Sequence, residues 1–60
     1  MITKPEIIEI MWGVRCKNWN PRQEVAFLLQ VKLKNRLYDA AKEALDRRIN
    51  ALRRIILSGP

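Results

Sequence analysis

Between Asn20 and Leu57 the chain reads NPRQEVAFLLQVKLKNRLYDAAKEALDRRINALRRIIL, and after Pro21 this run holds neither proline nor glycine. Most of its residues are strong helix formers. Asn20 and Gln23 have the spacing of an N-terminal capping box, and Pro21 suits the first helical position. The run therefore predicts a helix that begins at about residue 21.

The apolar residues of this run recur at helical spacing. At about 100° per residue, those between Ala26 and Ile56 fall mainly in one half of a helical wheel, and the charged residues mainly in the other. The phase does not slip across Asn35 or Asp39, where a turn would normally reset it. We therefore predict one long amphipathic helix over about 21–57, roughly 50 Å long. The alternative is a three-helix bundle with a break near residues 35–39.

The N-terminal part predicts a second, shorter helix. Thr3 and Glu6 have the spacing of another capping box, and a helix over about 4–14 follows. It ends near Gly13 or runs on to Lys17, with Asn18 as a left-handed cap. The chain is thus predicted to be all-α and helical hairpin-like, a single small domain of residues 1–60.

The first helix is expected to dock where the long helix is apolar nearly all round, at residues 25–29. The side chains predicted to make this intramolecular contact are Ile7, Met11, Val25, Leu28 and Leu29.

The C-terminal half of the apolar stripe then lacks a partner within the chain. Sixty residues form only a small core, and the single cysteine, Cys16, excludes an internal disulfide. We therefore predict a homo-oligomer or a larger protein complex. The predicted interface consists of Leu37, Tyr38, Leu45, Ile49, Leu52 and Ile56.

The charge is strongly basic, with 12 Lys and Arg against 6 Asp and Glu and a net charge of +6. A basic face can follow a phosphate backbone, and an exposed aromatic can stack on a base. The possible nucleic-acid contacts are Lys32, Arg36, Arg47, Arg53, Arg54 and Trp19. A solvated helix face and an acidic protein or membrane surface are the alternatives.

Arg48 falls within the apolar stripe rather than on the basic face. It either extends its charge to the solvent at the edge of an interface or sets the register of a partner chain.

Catalysis, a cofactor and a metal site are not expected. The chain has no histidine, one cysteine and no glycine-rich phosphate loop, and its six carboxylates are dispersed. No apolar run approaches the roughly 18 residues of a membrane span, and the N-terminus lacks the pattern of a signal peptide. We expect a cytoplasmic protein that does not bind membranes or small-molecule substrates.

The functional prediction is a non-catalytic helical binding or assembly module. It would self-associate or dock on a partner through the apolar stripe, and its basic face could contact nucleic acid. The alternatives are an assembly component of a larger complex without nucleic-acid contact, and a small protein inhibitor or adaptor.

Overall fold

Residues 1–59 form three helices: α1 (Lys4–Cys16), α2 (Pro21–Lys34) and α3 (Asp39–Ser58). The structure is a computed structural model that describes residues 1–59, so Pro60, the last residue of the predicted domain, lies outside it. The all-α prediction is confirmed. The single long helix over 21–57 is wrong, because α2 and α3 divide that run at the break that the alternative placed near residues 35–39.

Hydrogen bonds from the N-terminal segment hold the break between α2 and α3 in place. Asn35 and Tyr38 adopt extended backbone angles, and Ile2 pairs with Leu37 in a parallel β-bridge. The Ile2 N–H donates to the Arg36 carbonyl at 2.9 Å, and the Tyr38 N–H donates to the Ile2 carbonyl at 3.1 Å. These bonds satisfy backbone groups that the interrupted helix would otherwise leave to water.

The helical wheel missed the break for a geometric reason. The connection between α2 and α3 has only four residues, and the apolar residues before and after it share one phase when every residue is placed at about 100°. Tyr38 is the N-cap of α3 and makes no side-chain capping hydrogen bond. The usual sequence signal of a helix start is therefore missing.

The starts of α1 and α2 and the end of α1 agree with the sequence predictions. Asn20 and Gln23 form the predicted reciprocal capping box, with hydrogen bonds of 2.9 and 3.2 Å. Thr3 accepts from the Glu6 N–H at 3.4 Å. Asn18 has φ 60°, so the longer form of the first helix with a left-handed asparagine beyond it is confirmed.

Helix α3 packs against both other helices, whereas α1 and α2 touch only weakly. Ion pairs from α2 to α3 show that these two helices are antiparallel, and the Ile2–Leu37 bridge starts α1 in the same direction as α3. The buried cluster consists of Ile7, Leu28, Ala41, Leu45, Ile49 and Leu52.

The structure corrects the prediction of which helix α1 packs against. Ile7 and Leu28 lie in the core, and Met11, Val25 and Leu29 pack against it. However, α1 docks on α3 rather than on residues 25–29 of α2. The fold reverses after Lys34 and brings α3 back over α2, so the two longer helices cover each other.

The central part of the predicted oligomer interface lies inside the chain. Leu45, Ile49 and Leu52 are 0, 4 and 2% exposed, which corrects the prediction that they face another chain. The reversal at residues 35–38 buries them against Leu28 and Ile7. The longest dimension is 37 Å instead of roughly 50 Å. None of the three helices is both long and apolar enough to cross a membrane.

Candidate functional site

Three ion pairs join side chains within residues 1–59: Lys32–Asp46, Arg47–Glu43 and Arg48–Glu24. They engage three of the twelve Lys and Arg residues. Nine cations therefore have no side-chain carboxylate within 4.0 Å in this part of the chain. The excess charge is available at the surface.

The five predicted basic contacts do not share one straight face. Lys32 binds Asp46 at 2.7 Å, and Arg47 binds Glu43 at 2.8 Å, so a carboxylate compensates each charge. Arg53 and Arg54 are exposed near the end of α3. Arg36 is exposed in the α2–α3 connection, at the opposite end of that helix. The break in the predicted rod separates them.

A group of cations lies on and around the α2–α3 connection, and we call it the basic end: Lys32, Lys34, Arg36 and Lys42. A shallow groove there is lined by Lys32, Arg36 and Lys42 together with Met1, Leu33, Asn35 and Leu37. Met1 and Leu33 are largely exposed. Of the predicted contacts, the structure brings Lys32 and Arg36 together here, and it adds Lys42, which the sequence reasoning did not select.

The predicted stacking residue, Trp19, has an intramolecular partner. Its ring lies edge-on to Phe27, with centroids 5.4 Å apart and planes at 71°. Lys17 Nζ lies 5.2 Å from the Trp19 centroid. The indole is half-buried, so much of its surface belongs to the packing between the helices and their connection.

Two other aromatic rings are more exposed. Tyr38, the last residue of the α2–α3 connection, is 53% exposed. Trp12 is 64% exposed on α1, with the Arg15 guanidinium 5.7 Å from its centroid. Tyr38 was assigned to the oligomer interface because a continuous helix would place it on the apolar stripe. The structure places it instead at the end of the α2–α3 connection, two residues after Arg36.

Arg48 makes the most buried ion pair of the fold. Its Nε donates to Glu24 Oε2 at 2.7 Å and its Nη2 donates to Oε1 at 3.2 Å. The Glu24 side chain is only 5% exposed. Arg48 therefore fixes α2 against α3 within one chain, whereas both interpretations of its position had assumed an interface with another chain.

The remaining predicted interface residues are dispersed. Leu37 packs partly against the core, and Ile56 is half-buried beside a shallow groove that Pro21 and Ile55 also line. Together with Tyr38, they lie at different ends of α3 and do not form one surface.

No group of three or more metal-ligating side chains occurs among residues 1–59. Cys16 is exposed and has a free thiol. No family model, curated protein or solved structure matches this chain. The fold and its surface thus define a small three-helix protein with a basic end.

Proposed function

We propose that this protein is a non-catalytic module that binds nucleic acid through its surface cations. The observation that carries the proposal is the excess of positive charge not engaged in ion pairs. Nine of the twelve cations lack a side-chain carboxylate partner within residues 1–59, and three of them cluster at the basic end.

Such charges bind phosphates because each contact releases counterions condensed on the nucleic acid. Flexible lysine and arginine side chains that are not held in ion pairs can reach phosphates without first breaking an internal contact. Lys34, Arg36 and Lys42 have this freedom at the basic end, and Arg53 and Arg54 provide it near the end of α3. The exposed free thiol of Cys16 agrees with a reducing, cytoplasmic location, which is part of the proposal.

The test is the salt dependence of binding to a fluorescent oligonucleotide of about 12 nucleotides, a length within the usual range of single-strand sites. If about four phosphates are neutralised, the affinity should fall about fiftyfold between 50 and 200 mM salt. Fluorescence anisotropy measures it directly. Absence of binding at the lower salt concentration, or an affinity independent of salt, would refute the proposal.

An assembly role is the second candidate, and the exposed apolar side chains favour it. Ile8, Trp12, Ile55 and Leu57 are each about half exposed or more. A partner protein would cover them, whereas Leu45, Ile49 and Leu52 are already covered by the fold. Light scattering at low and high salt separates the two candidates, because a salt-independent oligomer that carries no nucleic acid supports assembly.

A further inference from the structure

We infer that the basic end is a binding site for single-stranded nucleic acid, in which Tyr38 stacks on an unpaired base while Arg36 and its neighbouring lysines hold the backbone phosphates. This inference rests on the proposed function and specifies its site and the form of its ligand.

The first step is the conformation of the connection. Asn35 and Tyr38 are extended, and Ile2 holds the residues between them through hydrogen bonds on both sides of Leu37. In an extended backbone, alternate side chains point to opposite sides. Leu37 is partly buried against the core, whereas its two neighbours, Arg36 and Tyr38, are both exposed.

The second step is the spacing of these two side chains. Residues two apart in an extended segment are about 7 Å apart along the chain. An exposed cation and an exposed aromatic ring therefore start from neighbouring backbone positions, on a segment that a helix holds at each end. The backbone of the connection therefore needs little further ordering when a ligand binds. Binding then loses less conformational entropy, which favours affinity.

The third step is the surrounding charge. Lys34 ends α2, and Lys42 lies in the first turns of α3, on either side of the connection. Lys32, Arg36 and Lys42 line one groove, and neither Arg36 nor Lys42 has a carboxylate partner within residues 1–59. Asp39 begins α3 directly after Tyr38, and Asp46 pairs with Lys32, so the four cations of the basic end face two nearby carboxylates and the local balance remains positive.

The fourth step distinguishes a single strand from a duplex. In a duplex, the face of each base is covered by its neighbours, and the face of Tyr38 has no base to stack on. A single strand exposes its bases, and stacking on an aromatic side chain is tolerant of sequence. Leu33 and Met1, which are 82 and 67% exposed beside the same cations, offer apolar contact to further bases.

The experiment compares binding of a labelled single strand and the matching duplex at one salt concentration, and then measures single-strand binding over a range of salt concentrations. Tyr38→Ala should weaken single-strand binding about tenfold, and Tyr38→Phe should retain it, because stacking needs the ring and not the hydroxyl. Arg36→Ala should reduce the magnitude of the salt slope by about 0.7, the value of one phosphate on a single strand. Circular dichroism checks that each variant is folded.

Two variants serve as matched controls. Trp12→Ala removes another exposed aromatic ring, and Arg22→Ala removes one exposed positive charge from the first turn of α2, at the end of that helix away from Lys34. Both should leave single-strand affinity and its salt slope nearly unchanged. A larger loss from Trp12→Ala than from Tyr38→Ala would place the site on α1 and overturn the inference.

The remaining outcomes separate this inference from the proposed function. If the wild-type chain binds no oligonucleotide at low salt, the proposed function itself fails. If it binds in a salt-dependent manner but prefers the duplex, or Tyr38→Ala binds as well as wild type, only the inference about the site fails. Equal affinity for a polyglutamate peptide of the same charge would also overturn it, because the surface would then recognise charge alone.

Discussion

Glu24 and Arg48 form the contact that most narrowly specifies how α2 lies on α3. The carboxylate is nearly inaccessible to water, and both of its oxygens accept from the same guanidinium. Such a pair contributes little net stability, since both groups lose hydration, but breaking it leaves a buried charge without a partner. We therefore expect the pair to favour one register between the two helices, since both hydrogen bonds form only when Glu24 and Arg48 lie opposite each other.

Arg48→Ala should destabilise the chain by about 3 kcal/mol, the lower end for a buried pair, because Arg48 retains some exposure. This approaches the whole stability of a domain of this size. Urea denaturation followed by circular dichroism measures the loss. The adjacent Arg47→Ala is the control, because its pair with Glu43 is exposed and is worth about 0.5 kcal/mol.

The double variant Glu24→Leu with Arg48→Met should recover most of that stability, since it removes both charges together. If Arg48→Ala were no more destabilising than Arg47→Ala, the buried pair would not hold the two helices together.

At the scale of the element, the three helix starts differ in how well their sequences define them. Asn20 and Gln23 close a reciprocal capping box on α2. Thr3 makes a longer bond, 3.4 Å, to the Glu6 N–H. Tyr38 makes no side-chain capping bond at all, so α3 depends on its packing and on the backbone pairing with Ile2.

Asn20→Ala should therefore reduce the free energy of unfolding by about 1 kcal/mol, the usual cost of losing a good N-cap. Thr3→Ala should cost less, because its bond is near the limit of hydrogen-bond length. Thermal denaturation of the two variants in parallel shows which one loses more stability. A larger effect at Thr3 than at Asn20 would contradict this ranking.

At the scale of the whole molecule, a single chain buries most of the apolar stripe that was predicted to require a second chain. Folding back at residues 35–38 places Leu28 of α2 and Ile7 of α1 against Leu45, Ile49 and Leu52 of α3. The side chains that were predicted to join copies of the chain therefore stabilise its tertiary structure.

Ile49→Lys should consequently unfold the chain, because it places an unpaired ammonium in the core. Ile55→Lys is the control, as Ile55 is about half exposed on the same helix and should accept the charge. Circular dichroism and light scattering together read helix content and mass. A folded Ile49→Lys variant that had merely lost its partners would instead support the interface predicted from sequence.

Local chemistry explains which features were predictable. The all-α class, the helix starts at Lys4 and Pro21 and the left-handed Asn18 depend on residues within a few positions of one another. Helix propensity, capping and turn preference act over that range, so the sequence alone was sufficient for them. The excess of positive charge is likewise a property of composition.

Contacts between distant residues decided the rest. The break after Lys34 depends on Ile2, which lies far away in the chain, and on burial of α3 against both other helices. A four-residue connection that preserves helical phase conceals such a break from any periodicity argument. Only the tertiary structure shows that Arg48 pairs with Glu24, that Trp19 contacts Phe27, and that Tyr38 is exposed to solvent. Each of these outcomes depends on how the helices and their connections pack together, and local sequence preference does not determine it.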